Sequence, residues 1–277
     1  MRAKDESAAE GWLAGRFGLH VCDGGMNVGF FDGVYAIWLR EVKVFFRERE
    51  RVVSAIVTPL LWIIVFGGGL GASVEISGMN YQTYIFPGIL SMSVLFGSIF
   101  YGLYIIWDRK LDFLKEVLVA PVDRSAVFLG KMLGGMSDVF VQVGALLLVG
   151  ALLGLVPSVW AGIGALLVAM LVSMCMVSLG LIIGSSMKSP EGFNLVMSFV
   201  MWPLFMFSGA LFPVDTLPAY LNFLVVLNPL TYGVDLMRYA VLGITTFGIL
   251  VDVAVLLGAS LLFVAIGTRS FERMTVG

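Results

Sequence analysis

The sequence predicts an all-α integral membrane protein with six transmembrane helices, an amphipathic helix before the first and re-entrant helices before the last. Hydrophobic residues make up 59% of the 277 residues and charged residues only 13%, whereas a soluble domain carries about 25% charged residues. The apolar residues form charge-free runs that exceed the roughly 20 residues needed to cross a bilayer as a helix. Because these runs are continuous rather than alternating, helices must satisfy the backbone in lipid. A soluble globular fold is excluded.

The six spans follow from the charge-free runs and the breaks between them. Pro59 predicts a kink in the first span, and Pro157-Ser158 predicts a tight turn between the third and fourth. The predicted spans cover residues 52–71, 83–106, 132–156, 159–186, 192–212 and 249–267. They belong to one membrane domain, residues 33–268, which is followed by a C-terminal tail at residues 269–277.

The first 32 residues are polar and rich in glycine. They lack the apolar core of about 7 to 15 residues that defines a signal peptide. We expect either a disordered tail or a stretch upstream of a true start at Met26. Cys22 and Cys175 have neither metal-site nor redox-site spacing, so both are expected to be inert.

The distribution of basic residues predicts the orientation. Sixteen of the seventeen Lys and Arg residues fall on one side of the span map, and only Arg238 falls outside. Since basic flanks are retained in the cytoplasm, we expect a multi-pass protein of the cell membrane with both termini cytoplasmic. Residues 213–248 would then lie outside, but they are too apolar for a free loop. Short helices that dip back towards the membrane are expected there.

An amphipathic helix is predicted over residues 34–51. Its apolar face consists of Val34, Trp38, Val42 and Phe45, and the opposite face consists of Arg40, Lys43, Arg47 and Arg51. Such a helix can rest on the membrane surface, with its basic side chains near anionic lipid headgroups. It can also contact a cytoplasmic partner, and the pattern leaves both interpretations open.

The largest cytoplasmic loop, residues 108–131, also shows helical periodicity. The pattern predicts a short helix that stops at Pro121 and a second helix capped by Asp123 or Ser125. The first helix carries an apolar stripe of Leu111, Leu114 and Leu118. An apolar stripe on a cytoplasmic loop requires cover, either from the bilayer surface or from a partner protein.

Few polar residues lie inside the predicted spans. Asp138 and Asp252 are functional candidates because ionisable groups at membrane depth are costly, although neither is near mid-bilayer. Asp138 lies at helical spacing from Lys131 and Gln142, so a structural ion pair or hydrogen bond is expected there rather than a proton relay. Glycines four residues apart, such as Gly180 and Gly184, predict close helix packing.

No pattern of a catalytic or nucleotide-binding site is present. The glycines at 67–71 lie inside a span, and Gly130-Lys131 lacks the upstream glycine of a phosphate loop. No Ser, His and Asp set or paired carboxylates stand at a plausible surface site. We therefore expect no enzyme activity, no bound cofactor or metal and no nucleic-acid partner for this chain.

Four stretches in a fixed order carry a family resemblance. They are YIFPGILSMSVLFGS from Tyr84, EVLVAPVDRSAVFLGK from Glu116, FSGALFPVDTLPAYL from Phe207 and NPLTYGVDLMRYAVLG from Asn228. Over about residues 33 to 268 the chain resembles the permease subunits of ABC type-2 exporters, particularly the antibiotic-resistance and nodulation lipo-oligosaccharide exporters.

The resemblance implies two permease copies, expected as a homodimer in membrane lipid, and two ABC ATP-binding subunits that bind ATP and magnesium. It implies outward transport of a drug-like, lipid-linked or saccharide amphiphile. It also assigns roles to residues. The ATPase-coupling interface would contain Arg40, Lys43, Arg47, Asp108, Leu111, Leu114, Lys115, Glu116 and Leu118. The outer gate would contain Phe212, Pro213, Asn228, Pro229, Tyr232 and Arg238.

The transport pathway would be lined by spans one, two and five. The candidate lining residues are Trp62, Phe66, Phe96, Phe100, Trp202, Phe205 and Met206. Simple lipid-facing or core packing explains each of them equally well. An ion-coupled secondary transporter is the alternative function, and it predicts essential mid-membrane charges and activity without ATP. A membrane enzyme would require a polar cluster that the sequence lacks.

Overall fold

The computed structural model describes residues 29–70, 75–76, 78–110, 122–214 and 218–273. Its helices are α1 (Phe30–Arg47), α2 (Arg49–Leu70), α3 (Tyr81–Phe100), α4 (Leu103–Lys110), α5 (Arg124–Leu152), α6 (Val159–Ser186), α7 (Pro190–Met206), α8 (Asn222–Leu227), α9 (Pro229–Leu242) and α10 (Ile249–Glu272). Two antiparallel two-residue strands, β1 (Glu75–Ile76) and β2 (Met79–Asn80), lie between α2 and α3, and a 3-10 turn (Ala219–Leu221) precedes α8. The protein is an all-α membrane protein.

Five helical segments in the described part of the chain are long and apolar enough to cross a membrane. They are Arg49–Gly67 in α2, Tyr81–Lys110 across α3 and α4, and the whole of α5, α6 and α10. The predicted fifth span corresponds to α7, whose 17 residues fall short of the roughly 20 needed for a perpendicular crossing. The count of six spans and the re-entrant position of α8 and α9 therefore stay predictions.

Polar caps set the ends of the helices. The Ser158 hydroxyl accepts the Ala161 N–H at 3.1 Å and starts α6, and the Asn228 side chain accepts the Leu230 N–H at 3.0 Å and starts α9. Of the two predicted caps of α5, Asp123 is the one used, accepting the Ser125 N–H at 3.0 Å. Hydrogen bonds from Ser125 lower the pKa of the exposed Asp123 carboxyl. Each cap satisfies an N–H that the helix leaves unpaired.

Helix α6 is at the centre of the bundle and packs against α3, α5, α9 and α10. It approaches the α3–α4 junction so closely that the two backbones touch. A Cβ on Gly180 would overlap the Ile99 carbonyl oxygen, and a Cβ on Gly184 would overlap that of Gly102. The predicted close packing at Gly180 and Gly184 is confirmed. It lies where α3 ends and α4 begins.

The end of the bundle that carries α1, α4 and the start of α5 is here called the basic end. Arg109 there donates to the carbonyl oxygens of Ser185 and Met187, and Arg124 donates to that of Glu272. A separate apolar cluster fills the basic end, formed by Ile37, Tyr101, Ile105, Val127, Phe128, Met132, Val177, Leu181 and Phe271. The basic end is therefore a packed region with its own core.

Helix α1 docks on α5, but through a face one residue away from the predicted one. Its buried residues are Gly33, Ile37, Glu41 and Phe45. Val34, Trp38 and Val42 of the predicted apolar face are only half-buried. The predicted apolar face and the face packed on α5 share only Phe45, and the packed face contains a glycine and a glutamate, which hydrophobic periodicity does not identify. A Cβ on Gly130 of α5 would meet Ile37, which shows how closely the two helices approach.

Candidate functional site

A buried cluster of charges lies at the basic end and is here called the charge cluster; it consists of Arg40, Glu41, Asp108 and Lys131. Lys131 is 1% exposed and pairs with Asp108 and, at 2.9 Å, with Glu41. Arg40 pairs with the same two carboxylates, at 2.7 Å to Glu41 and 3.0 Å to Asp108. Each carboxylate thus contacts both cations. The cluster connects α1, α4 and α5.

Within the described residues, the charge cluster contains two cations and two carboxylates, and a hydroxyl also contacts it. Tyr101, in the turn between α3 and α4, donates to Glu41 at 2.6 Å. Burial by itself raises the pKa of Glu41, but Lys131, the Tyr101 hydroxyl and Arg40 together outweigh it and hold that pKa below its ordinary value. Buried ion pairs are stable only when their remaining atoms are satisfied in this way.

A second ion pair joins the start of α2 to α5. Arg51 contacts Asp138 at 2.5 Å and the more exposed Glu48 at 3.5 Å. Its guanidinium also lies 4.1 Å from the centre of the Tyr104 ring. The expected structural ion pair of Asp138 is present, but its expected partners were wrong. Lys131 belongs to the charge cluster, and Gln142 donates to the Ala55 carbonyl oxygen at 2.9 Å.

A cavity of about 600 Å³ lies between α2, α3, α5 and α7. The polar lining residues Arg51, Ser54 and Thr58 on α2 and Asp138 and Gln142 on α5 are here called its polar end. Its remaining wall is largely apolar and aromatic. The volume is in the range of pockets that hold drug-sized molecules, about 300 to 1,000 Å³. A cavity with one polar end and one aromatic wall suits an amphiphile, which has one polar end and one apolar body.

Four of the residues predicted to line a pathway border this cavity, namely Trp62, Phe96, Phe100 and Trp202. The other three, Phe66, Phe205 and Met206, do not border it. Phe66 stacks on Trp62 at 5.0 Å between ring centres, and the buried Phe205 packs edge-on against Phe96. Met206 is half-buried in the main apolar core. A transport role for these seven residues stays a prediction.

The predicted outer-gate residues lie at the opposite end of the bundle, where they hold segments in place. Asn228 donates to the Leu204 carbonyl oxygen at 2.6 Å, and Tyr232 donates to that of Val226 at 2.9 Å. Arg238 is buried, donates to the Gly209 carbonyl oxygen at 2.8 Å and lies 4.5 Å from the Tyr84 ring centre. Pro229 is the first residue of α9, and Phe212 and Pro213 are half-buried.

Two buried carboxylates, those of Asp235 and Asp252, also lie at that end of the bundle. Asp235 of α9 accepts hydrogen bonds from the Thr245 hydroxyl and from the N–H groups of Thr246 and Phe247. Asp252 of α10 is 0% exposed and receives no hydrogen bond within the described residues. Its carboxyl group faces that of Asp235. The connection between α9 and α10 is therefore anchored on Asp235.

The predicted coupling residues divide into three groups. Lys43 and Arg47 are exposed on α1, as a contact surface requires. Arg40 and Asp108 belong instead to the charge cluster, and Asp108 is buried. The remaining predicted positions, Leu111, Leu114, Lys115, Glu116 and Leu118, lie outside the described residues.

The sequence pattern missed several residues of the site. Glu41 was not assigned a partner, and Lys131 was assigned to Asp138, whereas the structure pairs Lys131 with Glu41 and Asp108. Lys131 is a single charge among apolar and small neighbours, which is a usable signal of buried pairing. Arg51 was placed on the polar face of α1, whereas it belongs to α2. Within the described residues, no group of three or more His, Cys, Asp or Glu could hold a metal ion, and Cys175 is buried and unpaired.

Comparison with known proteins identifies relatives over most of the chain. Residues 32–242 match the family described as ABC-2 type transporter. The inner membrane transport permease YadH of Escherichia coli (strain K12) is 31% identical over 239 residues, covering 80% of this chain and 90% of the relative. Nodulation protein J of Rhizobium leguminosarum bv. viciae is 23% identical over 212 residues, covering 75% of this chain and 82% of the relative.

Proposed function

Because the chain belongs to the ABC-2 type transporter family and is therefore the transmembrane permease subunit of an ABC transporter, we propose that it exports a drug-like, lipid-linked or saccharide amphiphile from the cell. The family implies association with an ABC ATP-binding subunit. ATP and magnesium would bind to that subunit, and this chain would supply the pathway. Drug resistance is one expected consequence of such export.

The proposed topology has both termini in the cytoplasm and six spans. The basic end would face the cytoplasm, in agreement with the retention of basic residues on that side. Helix α7 would be the fifth span, and α8 and α9 would be re-entrant at the outer face. The buried hydrogen bonds of Asn228, Tyr232 and Arg238 support this position, because non-helical backbone at membrane depth must be satisfied by protein.

The single observation that carries the mechanism is the charge cluster. Lys43 and Arg47 on the exposed face of α1 would contact the ATP-binding subunit, and Glu41 and Arg40 on the same helix are fixed to Asp108 and Lys131. A displacement of α1 would therefore move α4 and α5 with it. ATP-driven closure of the partner dimer would act through this connection on the cavity, as a two-state rigid-body change.

A second copy of the chain would complete the pathway. Helices α2 and α7, which border the cavity, also expose large apolar side chains, namely Val53, Val57, Leu61, Ile64, Val65, Leu195, Phe199 and Trp202. Contiguous apolar surface of this kind needs cover. We assign it to the second permease copy, and we assign the other exposed apolar faces to membrane lipid.

The proposal is tested by co-expressing this chain with an ATP-binding protein encoded beside it. The two are purified through a tag on the permease, and the amount of retained subunit and its ATPase activity are measured. Reversal of the exposed charges in Lys43→Glu/Arg47→Glu is expected to release the subunit. Lys188→Glu, an exposed reversal at the same end, serves as the matched control and is expected to retain it.

Direction is tested in inverted membrane vesicles with a panel of fluorescent amphiphiles. An exporter concentrates its substrate inside such vesicles, and inactivating the ATP site of the partner is expected to stop the accumulation. Accumulation that continues without ATP and collapses when an ion gradient is dissipated would instead support the ion-coupled transporter. Failure to retain any ATP-binding subunit would remove the basis of the proposal.

A further inference from the structure

The polar end of the cavity contains an acceptor without a donor. Asp138 is 8% exposed and lines the cavity. Its Oδ2 pairs with Arg51, but its Oδ1 has no hydrogen-bond partner within the described residues. A buried carboxylate oxygen without a donor is costly. A ligand that brings a donor to this oxygen would remove that cost.

Among the described residues, Arg51 is the one cation of the cavity wall, and it is already engaged. Arg51 and Asp138 are the charged side chains among the described residues of the cavity wall. The Arg51 guanidinium contacts two carboxylates, Asp138 and Glu48, and lies over the Tyr104 ring. Within the described residues, Arg51 is thus held by Asp138 on the cavity wall and by Glu48 beside it. An anionic ligand would have to compete with two carboxylates for one guanidinium.

A neighbouring amide can also accept from a donor on the ligand. Gln142 donates one amide N–H to the Ala55 carbonyl oxygen, and its own carbonyl oxygen can accept from a group in the cavity. The adjoining aromatic wall presents the rings of Trp62, Phe96 and Trp202. Aromatic faces attract cations, and more strongly where water is excluded.

From these observations we infer that the cavity binds cationic amphiphiles, with a primary or secondary ammonium donating to Asp138 Oδ1 and an apolar body lying along the aromatic wall. This inference rests on the proposed function and names its substrate class. Neutral saccharides and anionic lipid-linked molecules would bind less well at this site. Selectivity would depend on Asp138, with Arg51 holding its carboxylate in place.

The test uses the full-length chain in lipid nanodiscs and three matched probes: monodansylcadaverine, its neutral N-acetyl derivative, and a dansyl carboxylate of similar length. Binding is measured as energy transfer to the dansyl group from tryptophan, since Trp62 and Trp202 border the cavity. The ammonium probe is expected to bind about tenfold more tightly than the neutral probe, the difference expected for one charge-assisted hydrogen bond.

Asp138→Asn is expected to abolish the preference for the ammonium probe and to improve binding of the carboxylate, because it removes one of the two carboxylates that contact Arg51. A folding defect would not invert selectivity in this way. Asp252→Asn, which removes a buried carboxylate at the opposite end, is the matched control and is expected to leave the preference unchanged. Equal binding of all three probes, tighter binding of the carboxylate to the wild type, or no binding at all would overturn the inference.

The outcome is separable from that of the proposed function. Retention of the ATP-binding subunit is measured in parallel. If the subunit is retained and the probes are not distinguished, the substrate class is wrong and the exporter stands. If the probes are distinguished and no subunit is retained, the site stands and ATP-driven export does not.

Discussion

Lys131 shows how strongly one residue depends on its partners. In Lys131→Met, Arg40 alone would face both Glu41 and Asp108. Removal of one partner from a buried ionic set costs about 3 to 5 kcal/mol, so we expect a clear fall in the thermal unfolding midpoint, measured by tryptophan fluorescence of the detergent-purified protein. The additional change Asp108→Asn restores the charge balance and is expected to recover part of the loss.

The control for this substitution is Lys43→Met, because Lys43 is exposed on α1. A surface change of this kind alters stability by no more than about 0.5 kcal/mol. Equal effects of Lys131→Met and Lys43→Met would show that the charge cluster contributes nothing to stability.

The lowered pKa of Glu41 predicts acid sensitivity with a definite sign. An ionised Glu41 is favoured in the folded state, so its contribution is present above the ordinary glutamate pKa of about 4.3. This stabilising contribution is lost as the pH falls from that value through the lowered pKa of the folded state. In that range the unfolded state binds the proton more readily than the folded state does. We expect the unfolding midpoint of Glu41→Gln to depend less steeply on pH in this range than that of the wild type.

The comparison with Glu41→Gln needs a control for general acid effects. Glu48→Gln provides it, because Glu48 is a glutamate of the same region but is exposed. Its pH profile is expected to follow that of the wild type. A Glu41→Gln profile parallel to the wild type down to acid pH would contradict the assigned role of Lys131 and Tyr101.

At the scale of helices, the contact between α6 and the α3–α4 junction leads to a paired prediction. Gly180→Ala places a Cβ against the Ile99 backbone, and backbone cannot move aside as a flexible side chain can. Overpacking of this kind costs about 1 to 3 kcal/mol. Gly258→Ala on α10 meets nothing within 4 Å and is expected to be neutral or slightly stabilising, because alanine favours a helix more than glycine does.

Both glycine variants are compared by the thermal unfolding midpoint and by the yield of monodisperse protein in size-exclusion chromatography. A Gly180→Ala protein as stable as Gly258→Ala would mean that the two helices are further apart than described. The same close contact lies where the predicted second span, residues 83–106, passes from α3 to α4. The chain turns at Tyr101 and Gly102, where the junction lies against α6.

Hydrophobic patterning was sufficient to predict the long helices and the turn before Val159, because long apolar runs in lipid have one backbone solution. It was insufficient for α1. Periodicity identifies an apolar stripe, but which residues a neighbour covers depends on the shape of that neighbour. Glycines of α5 let α1 approach, and Lys131 makes the burial of Glu41 possible. Partners distant in sequence decide such faces.

The same limit applies to the cavity. Aromatic residues on three spans were predicted as lining, and four of them border it. Its polar end was not predicted, because Arg51 and Asp138 are 87 residues apart in sequence and nothing in either local pattern indicates the other. The charged residues therefore needed the three-dimensional arrangement before their roles could be assigned.

At the scale of the whole molecule, exposed apolar surface has two different explanations. In the most apolar stretch of α2, only 17% of the residues are buried, which is the same fraction as in α10. In the segment formed by α3 and α4 the fraction is 72%. Lipid is a sufficient cover for α10. Helix α2 differs because, with α7, it borders the cavity. A pathway wall open to lipid would not enclose a substrate, which is why we assign this face to a second copy.

This assignment predicts a specific pattern of cross-links. In a background of Cys22→Ser and Cys175→Ala, Ile64→Cys on α2 is expected to give a disulfide-linked dimer under mild oxidation in native membranes, and Leu167→Cys on α6 is not. The two positions are equally exposed in a single copy, at 64% and 66%, so exposure cannot explain a difference. Co-expression of two differently tagged copies establishes whether the dimer contains two of this chain. Cross-linking through Leu167→Cys alone would place the second copy on α6, and the cavity would then need a different cover.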